Sequence, residues 1–304
     1  MATDARTGQP IVVGVDGSAG ATVALRWALT ESAVRSVPLR VVHAWEAPPP
    51  ISGIGSILSP LDAEPFERAA KDLLERAIDD AVHDYAARPL LVPTVCRGYA
   101  PSELVDAAVG KALLVVGTRG RGVARSLLMG SVSLECVRRS TTPIAVVPPS
   151  ANSSAVDGIV IVGVDGSRGS QRALEFAMRE AAIRHAALRV VNAWHFDALI
   201  APVDYRYAAI NWRAFSDRSE SMLERSIEEA KLVAGAAPPR IDHVSTPQPP
   251  VQALLDRLHP NDVLVVGSRG RGGFKGLLLG SVSQHCLHGA RGTVVVVPDT
   301  ERGT

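Results

Sequence analysis

The chain has 304 residues, about twice the 100–200 of one domain, so two domains are expected. Hydrophobic residues make up 46% and charged residues 21%, too apolar a balance for a disordered chain. Three cysteines without a CxxC pair exclude a disulfide framework and a cysteine-rich zinc module, and a net charge of +1 excludes gripping nucleic acid through bulk charge.

The opening Met-Ala-Thr-Asp-Ala-Arg carries no apolar stretch of signal-peptide type, so a cytoplasmic location is expected. Apolar β-branched runs then alternate with helical patterns, the signature of βαβ units and a parallel sheet. In the first half, strands are expected at 11–15, 39–44, 91–95, 113–117 and 144–147, with helices near 21–36, 63–86, 102–109 and 131–139. The strand runs are continuously apolar, as strands covered by helices on both faces should be. Between the second strand and its helix, residues 47–61 are uncharged but hold four prolines, too short and broken to span a membrane. Residues 148–154 read Pro-Pro-Ser-Ala-Asn-Ser-Ser, a short linker. Second-half strands are expected at 159–164, 188–193, 241–245, 263–267 and 294–297.

The two halves are one unit written twice. Val13-Gly14-Val15-Asp16-Gly17-Ser18 recurs unchanged as Val162-Gly163-Val164-Asp165-Gly166-Ser167, 149 residues on. Val115-Val116-Gly117 with Arg119-Gly120-Arg121-Gly122 returns as Val265-Val266-Gly267 with Arg269-Gly270-Arg271-Gly272, an offset of 150. One residue is therefore inserted, placed by this reading between Pro250 and Gly267. A period so long means duplicated domains rather than a solenoid. The expected architecture is two tandem five-stranded α/β domains at 1–149 and 157–304, joined by residues 150–156; periodicity does not give the strand order.

Each half carries a glycine loop that suits phosphate. Gly117-Thr118-Arg119-Gly120 is followed after nine residues by Gly130-Ser131-Val132-Ser133, which opens a helix; the twin is Gly267-Ser268-Arg269-Gly270, then Gly280-Ser281-Val282-Ser283. Glycines at a strand's carboxyl end let the backbone turn and approach a ligand, and a helix start offers free N–H groups to an anion. Arg119, Arg121, Arg125, Arg269, Arg271 and Lys275 add positive charge. A methyl group at Gly117 and Gly267 is accordingly expected to disturb phosphate contacts and to spare the fold. No GxGxxG follows the first strand, no GxxxxGK[ST] loop occurs, and Gly130-Ser131-Val132-Ser133 is not a hydrolase elbow.

At these residues the chain resembles the tandem form of the universal stress protein family, ATP-binding branch. The family's G-x2-G-x9-G-[ST] signature is matched by Gly117, Gly120, Gly130 and Ser131, and by Gly267, Gly270, Gly280 and Ser281. Its aspartate after strand one is matched by Asp16 and Asp165, beside Gly14 and Gly163. The resemblance covers about residues 9–149 and 157–299. It implies Rossmann-like domains of the adenine-nucleotide α-hydrolase type, with strand order 3-2-1-4-5. ATP, with Mg²⁺, would sit between strands one and four, the aspartate and strand two holding adenosine. It also implies a regulatory protein rather than an enzyme, at most slow hydrolysis, a homodimer and an unidentified protein partner. The alternatives are an adenylate-forming or adenine-nucleotide hydrolase enzyme, and a nucleotide-free interaction module. Two departures stand out: Ala290-Arg291-Gly292-Thr293 lacks the proline that Pro143 supplies before strand five, and Pro247 is read as the twin of Gly98.

Other residues carry less. His285, Cys286 and His288 are close in sequence, but Cys136, the twin of Cys286, has Glu135 and Arg138 beside it, so a buried thiol is favoured over a metal. Trp27, Trp45 and Trp194 are expected in the core, while Trp212 and residues 205–207 fall in a variable region after strand two.

Overall fold

The computed structural model describes residues 8–46, 63–83, 85, 89–118, 120, 129–152, 157–194, 212–235, 238, 240–270 and 279–299. The chain forms two compact units that divide between residues 154 and 155. The expected segments at 47–61 and 205–207 lie outside the described residues, as does the side chain of Trp212.

The amino-terminal unit runs β1 (Ile11–Gly14), α1 (Ala19–Arg35), β2 (Leu39–Trp45), α2 (Glu64–Val82), β3 (Leu91–Arg97), α3 (Ala100–Ala108), β4 (Leu113–Gly117), α4 (Ser131–Arg139) and β5 (Ile144–Val147). Its strands are parallel in the order β3-β2-β1-β4-β5, the order implied by the resemblance. The carboxy-terminal unit runs β6 (Val160–Gly163), α5 (Arg168–Ile183), β7 (Leu188–Ala193), α6 (Trp212–Ala234), β8 (Ile241–Thr246), α7 (Pro250–Leu255), β9 (Val263–Gly267), α8 (Ser281–Gly289) and β10 (Thr293–Val297). It repeats the order as β8-β7-β6-β9-β10, again all parallel.

Central strands are apolar because helices cover both faces: Ile11, Val12, Val13, Leu114 and Val115 are fully buried, as are Val160, Ile161, Val162, Leu264 and Val265. The edge strand β3 departs from that expectation. Within it Val92 is 36% exposed, and Leu90 just before it 68%; Pro93 is tolerated because an edge strand needs no ladder on its outer side. Trp27 is a core residue. Trp45 and Trp194 instead lie half-buried at the ends of β2 and β7, stacked on Phe66 and Phe215 with ring centroids 6.5 and 6.2 Å apart.

Strand pairing relocates the inserted residue. Leu39 pairs with Leu91 in one unit, and Leu188 pairs with Ile241 in the other, so the offset is already 150 in the third strand. The insertion lies between β7 and β8, not after Pro250. The helix caps Tyr99 and Pro249 are therefore equivalent, and the twin of Gly98 is Gln248 rather than Pro247.

The turn from β1 into α1 places the first helix over the end of β4. Asp16 accepts the Ser18 N–H at 3.0 Å, Gly17 adopts φ 75°, and Ser18 caps the helix by accepting the Ala21 N–H at 3.2 Å. The second unit repeats this with Asp165–Ser167 at 2.9 Å, Gly166 at φ 75° and the Ser167 cap on Ser170 at 3.2 Å. A Cβ on Gly117 would stand 2.6 Å from the Gly20 carbonyl oxygen, and one on Gly267 2.7 Å from that of Gly169. This corrects the expectation that a methyl group there spares the fold, since the collision is with backbone that cannot rotate away.

The α8 cysteine is the buried thiol that the sequence favours. Cys286 is fully buried, whereas His285 and His288 turn back on their own helix, their Nδ1 atoms 2.7 and 2.6 Å from the Ser281 and Gln284 carbonyls. Burial pushes the Cys136 and Cys286 thiols up to about 12, and it also raises Cys96, aided by the nearby Glu103 charge.

Two outcomes are expected. Gly117→Ala or Gly267→Ala should each lose about 2–3 kcal/mol in urea unfolding, the scale of a core overpacked against backbone; unchanged midpoints would show that α1 and α5 can shift freely. At pH 8 a thiol reagent should modify no more than Cys96 in the native chain and all three cysteines after denaturation. Rapid native labelling of Cys136 or Cys286 would contradict their burial.

Candidate functional site

In both units the strand order reverses direction between the first and fourth strands, which leaves a crevice beyond their carboxyl ends. In the carboxy-terminal unit this crevice is a cavity of about 390 Å³. One side is the end of β6 and its turn, with Gly163, Val164 and Asp165; the other is the end of β9, with Val266, Gly267, Arg269 and Gly270. The start of α8 closes it through Gly280, Ser281, Val282 and Ser283. Nine of the residues expected from sequence in this half thus meet at one place.

Closure of the glycine loop explains why a segment so far along the chain returns here. The Gly130 N–H donates to the Thr118 carbonyl at 2.6 Å, and the Gly280 N–H to the Ser268 carbonyl at 2.7 Å, clamping each loop at its base. The loop therefore ends with its helix pointing at the crevice. Gly130 and Gly280 are the caps of α4 and α8, without any side-chain cap bond. The N–H groups of Ser131, Val132 and Ser133, and of Ser281, Val282 and Ser283, occupy first-turn positions that have no carbonyl of their own helix to bind. An anion is the natural complement to such a turn.

The aspartate and the loop's second glycine form a single contact. A Cβ on Gly270 would lie 2.5 Å from Asp165 Oδ2, and one on Gly120 would collide with Asp16 Oδ2 in the same way. Those glycines thus leave room for a carboxylate that reaches under the loop. Asp165 is further positioned by its Oδ1, which accepts the Ser167 N–H, and by its own N–H, which donates to Ser170 Oγ at 3.3 Å.

Several expected ligand residues have other work. The Ser133 and Ser283 hydroxyls each donate at 2.6 Å to the carbonyls of Gly117 and Gly267, tying the helix start to the strand end. Thr118 is buried, with its N–H on the Val147 carbonyl at 3.1 Å. Ser268 is buried too; its N–H donates to Val297 and its hydroxyl accepts the Asp299 N–H at 3.1 Å. Arg269 lines the cavity, but its guanidinium donates to Asp299 Oδ2 at 3.2 Å. Gly14 and Gly163 serve packing, since a Cβ there would stand 2.7 and 3.1 Å from Leu104 and Leu254. Arg119, Arg121, Gly122, Arg271 and Gly272 lie outside the described residues, as do Arg125 and Lys275.

The sequence reading missed the apolar walls: Leu254 from α7, Val266 from β9 and Leu279 just before the loop's last glycine. A signal existed for the last, because Met129-Gly130 and Leu279-Gly280 repeat an apolar residue at the same place. Ser170 was missed because its twin is Ala21. Strand two contributes as implied, through Val191 and Ala193. Asn192, between them, points away from the cavity and donates to the Val164 carbonyl at 2.6 Å; its twin His43 places Nδ1 2.8 Å from the Val15 carbonyl. Among the described residues, no three metal-ligating side chains cluster, and no helix is long and apolar enough to cross a membrane.

Comparison with known proteins fits this geometry. The model of the universal stress protein family matches residues 8–148 and again 158–298. The universal stress protein Rv1996 of Mycobacterium tuberculosis is 31% identical over 312 residues, spanning 96% of this chain and 95% of its own. Rv2623 of the same organism, also a universal stress protein, is 33% identical over 300 residues, with 95% and 96% covered. The crystal structure of a universal stress protein from Archaeoglobus fulgidus shares the fold at 17% identity, with a TM-score of 0.64 over 96% of this chain and 98% of that one. With two matched domains, relatives aligned along nearly its whole length and the same glycine loop at the same crevice in each half, the chain belongs to the universal stress protein family as a tandem member.

Proposed function

We propose that the chain is a regulatory nucleotide-binding protein that holds one ATP in each half and carries no dedicated catalytic apparatus. The observation that carries this reading is the cavity of the carboxy-terminal unit, where Gly267, Gly270, Gly280, the first turn of α8 and Asp165 converge. Its volume of about 390 Å³ is within the range of small-molecule sites. Apolar walls at Val164, Leu254, Val266 and Leu279 suit a base, and the opening turn of α8 suits phosphates. Asp165 then takes ribose hydroxyls. The amino-terminal unit repeats the same turn, loop clamp and aspartate–glycine contact, which supports a second site.

Binding rather than turnover is the better reading. The buried Ser133 and Ser283 hydroxyls are engaged with strand carbonyls, and each aspartate accepts an N–H of its own turn through Oδ1. We expect hydrolysis to be slow, because among the described residues lining the cavity there is no histidine to act as a base. Mg²⁺ enters with the nucleotide through phosphate oxygens rather than through a protein cage. A homodimer in the cytoplasm whose nucleotide occupancy is read by a protein partner completes the proposal. The rival, an adenylate-forming or nucleotide-hydrolysing enzyme, predicts pyrophosphate or ADP release at enzymatic rates.

Calorimetry with Mg·ATP should give two nucleotides per chain. Ser131→Glu and Ser281→Glu, which put a carboxylate into the phosphate seat at a helix start that tolerates acids, should each leave one site and together none. Saturation without any heat or mass change in the wild type would sink the reading. Chelating Mg²⁺ should weaken binding by about tenfold, the loss of roughly 1.4 kcal/mol of charge-assisted contact. Undiminished affinity in chelator would remove the metal from the proposal.

A further inference from the structure

We infer that Asp299 is an internal competitor for phosphate at the carboxy-terminal glycine loop, and that it makes the two loops of this chain unequal in anion affinity. The inference rests on the phosphate reading of that loop. Asp299 follows β10. Its Oδ2 accepts from Arg269 at 3.2 Å and its Oδ1 from Arg172 of α5 at 3.4 Å, while its backbone N–H donates to Ser268 Oγ at 3.1 Å. The carboxylate is thus anchored at the loop's base and grips the cation that stands immediately before Gly270.

The Arg269 main chain packs closely on the start of α5: a Cβ on Gly169 would stand 2.5 Å from its carbonyl oxygen. What can move most readily is the long side chain, which is 33% exposed and carries the guanidinium. Carboxylate and phosphate oxygens are acceptors of the same kind for a guanidinium fork. An anion drawing Arg269 into the cavity must therefore take it from Asp299. The pair is partly exposed, 33% and 20%, so it is weak enough to be displaced and sensitive to salt.

The amino-terminal half carries different residues at the two equivalent positions. Asp299 corresponds to Pro149, which lacks both the carboxylate and the N–H, and Arg172 corresponds to Val23. Duplication kept the loop motif and changed these two positions. The carboxy-terminal site should accordingly bind polyphosphate more weakly for its contacts, and with a different salt dependence.

The test uses the full chain and Mg·ATP, with one site silenced at a time. In a Ser131→Glu background, Asp299→Asn should tighten ATP binding by about two- to fivefold at low salt, with the gain shrinking as salt rises. In a Ser281→Glu background the same substitution should leave the amino-terminal site unchanged. Adding Asp299→Asn to Arg269→Ala should bring no gain, which a merely structural effect of Asp299 would not obey. Unchanged affinity after Asp299→Asn in the Ser131→Glu background overturns the competitor role. Weaker affinity overturns it too, and makes Asp299 a residue that orients Arg269 for the ligand. A wild type that binds no ATP is a different failure, that of the nucleotide reading itself.

Discussion

The structure depends on one close approach: the first turn of the helix after strand one lies directly against the end of strand four. Gly117 and Gly267 make it possible, since the positions their Cβ atoms would occupy are 2.6 and 2.7 Å from the carbonyls of Gly20 and Gly169. That contact sets how closely the first helix approaches the end of the fourth strand, beside the point where the sheet order reverses. The crevice, the aspartate beneath the loop and the direction of the following helix all take their positions from it. A glycine that looks, in a motif, like a place for phosphate is first a place for backbone.

The same economy runs through the site. The second loop glycine makes room for a carboxylate, the serine in the third position of the helix locks the helix to its strand, and the arginine is held by an acid from the end of the chain. What remains directed at the crevice is mostly backbone: first-turn N–H groups and glycine Cα atoms, walled by apolar side chains. Backbone N–H groups at a helix start suit negative charge, and apolar walls suit a flat ring, which is why the proposed ligand is a nucleotide.

Duplication preserved the frame and let its supports drift. Ser170 stands where the first half has Ala21, Asn192 where it has His43, and Gln248 where it has Gly98. Asn192 heads a hydrogen-bonded chain, accepting from Ser219 at 2.6 Å, which accepts from Ser245 at 2.7 Å, which in turn accepts from the Trp194 indole at 3.0 Å. His43 makes only the equivalent contact to the first strand among its described side-chain hydrogen bonds. Both devices hold the carbonyl that precedes the aspartate, by different chemistry.

The sequence by itself determined the two-unit organisation, the alternation of strand and helix, and the identity of the loops and aspartates. These are local or repeated patterns: apolar runs need no partner to be seen, and a duplication is visible in its own copy. It read Leu91 to Val95 as a covered strand because periodicity does not report which strand is last in a sheet; edge position is set by pairing order. It misplaced the inserted residue because β3 and β8 share little sequence, and pairing with β2 and β7 was needed to align them. Tertiary structure alone decided which of the described loop residues are already engaged by the protein itself. Ser133, Ser268, Ser283 and Arg269 have the right chemistry at the right spacing, but each donates or accepts where folding brings a nearer partner, and a hydrogen bond already made within the protein is the one a ligand must displace.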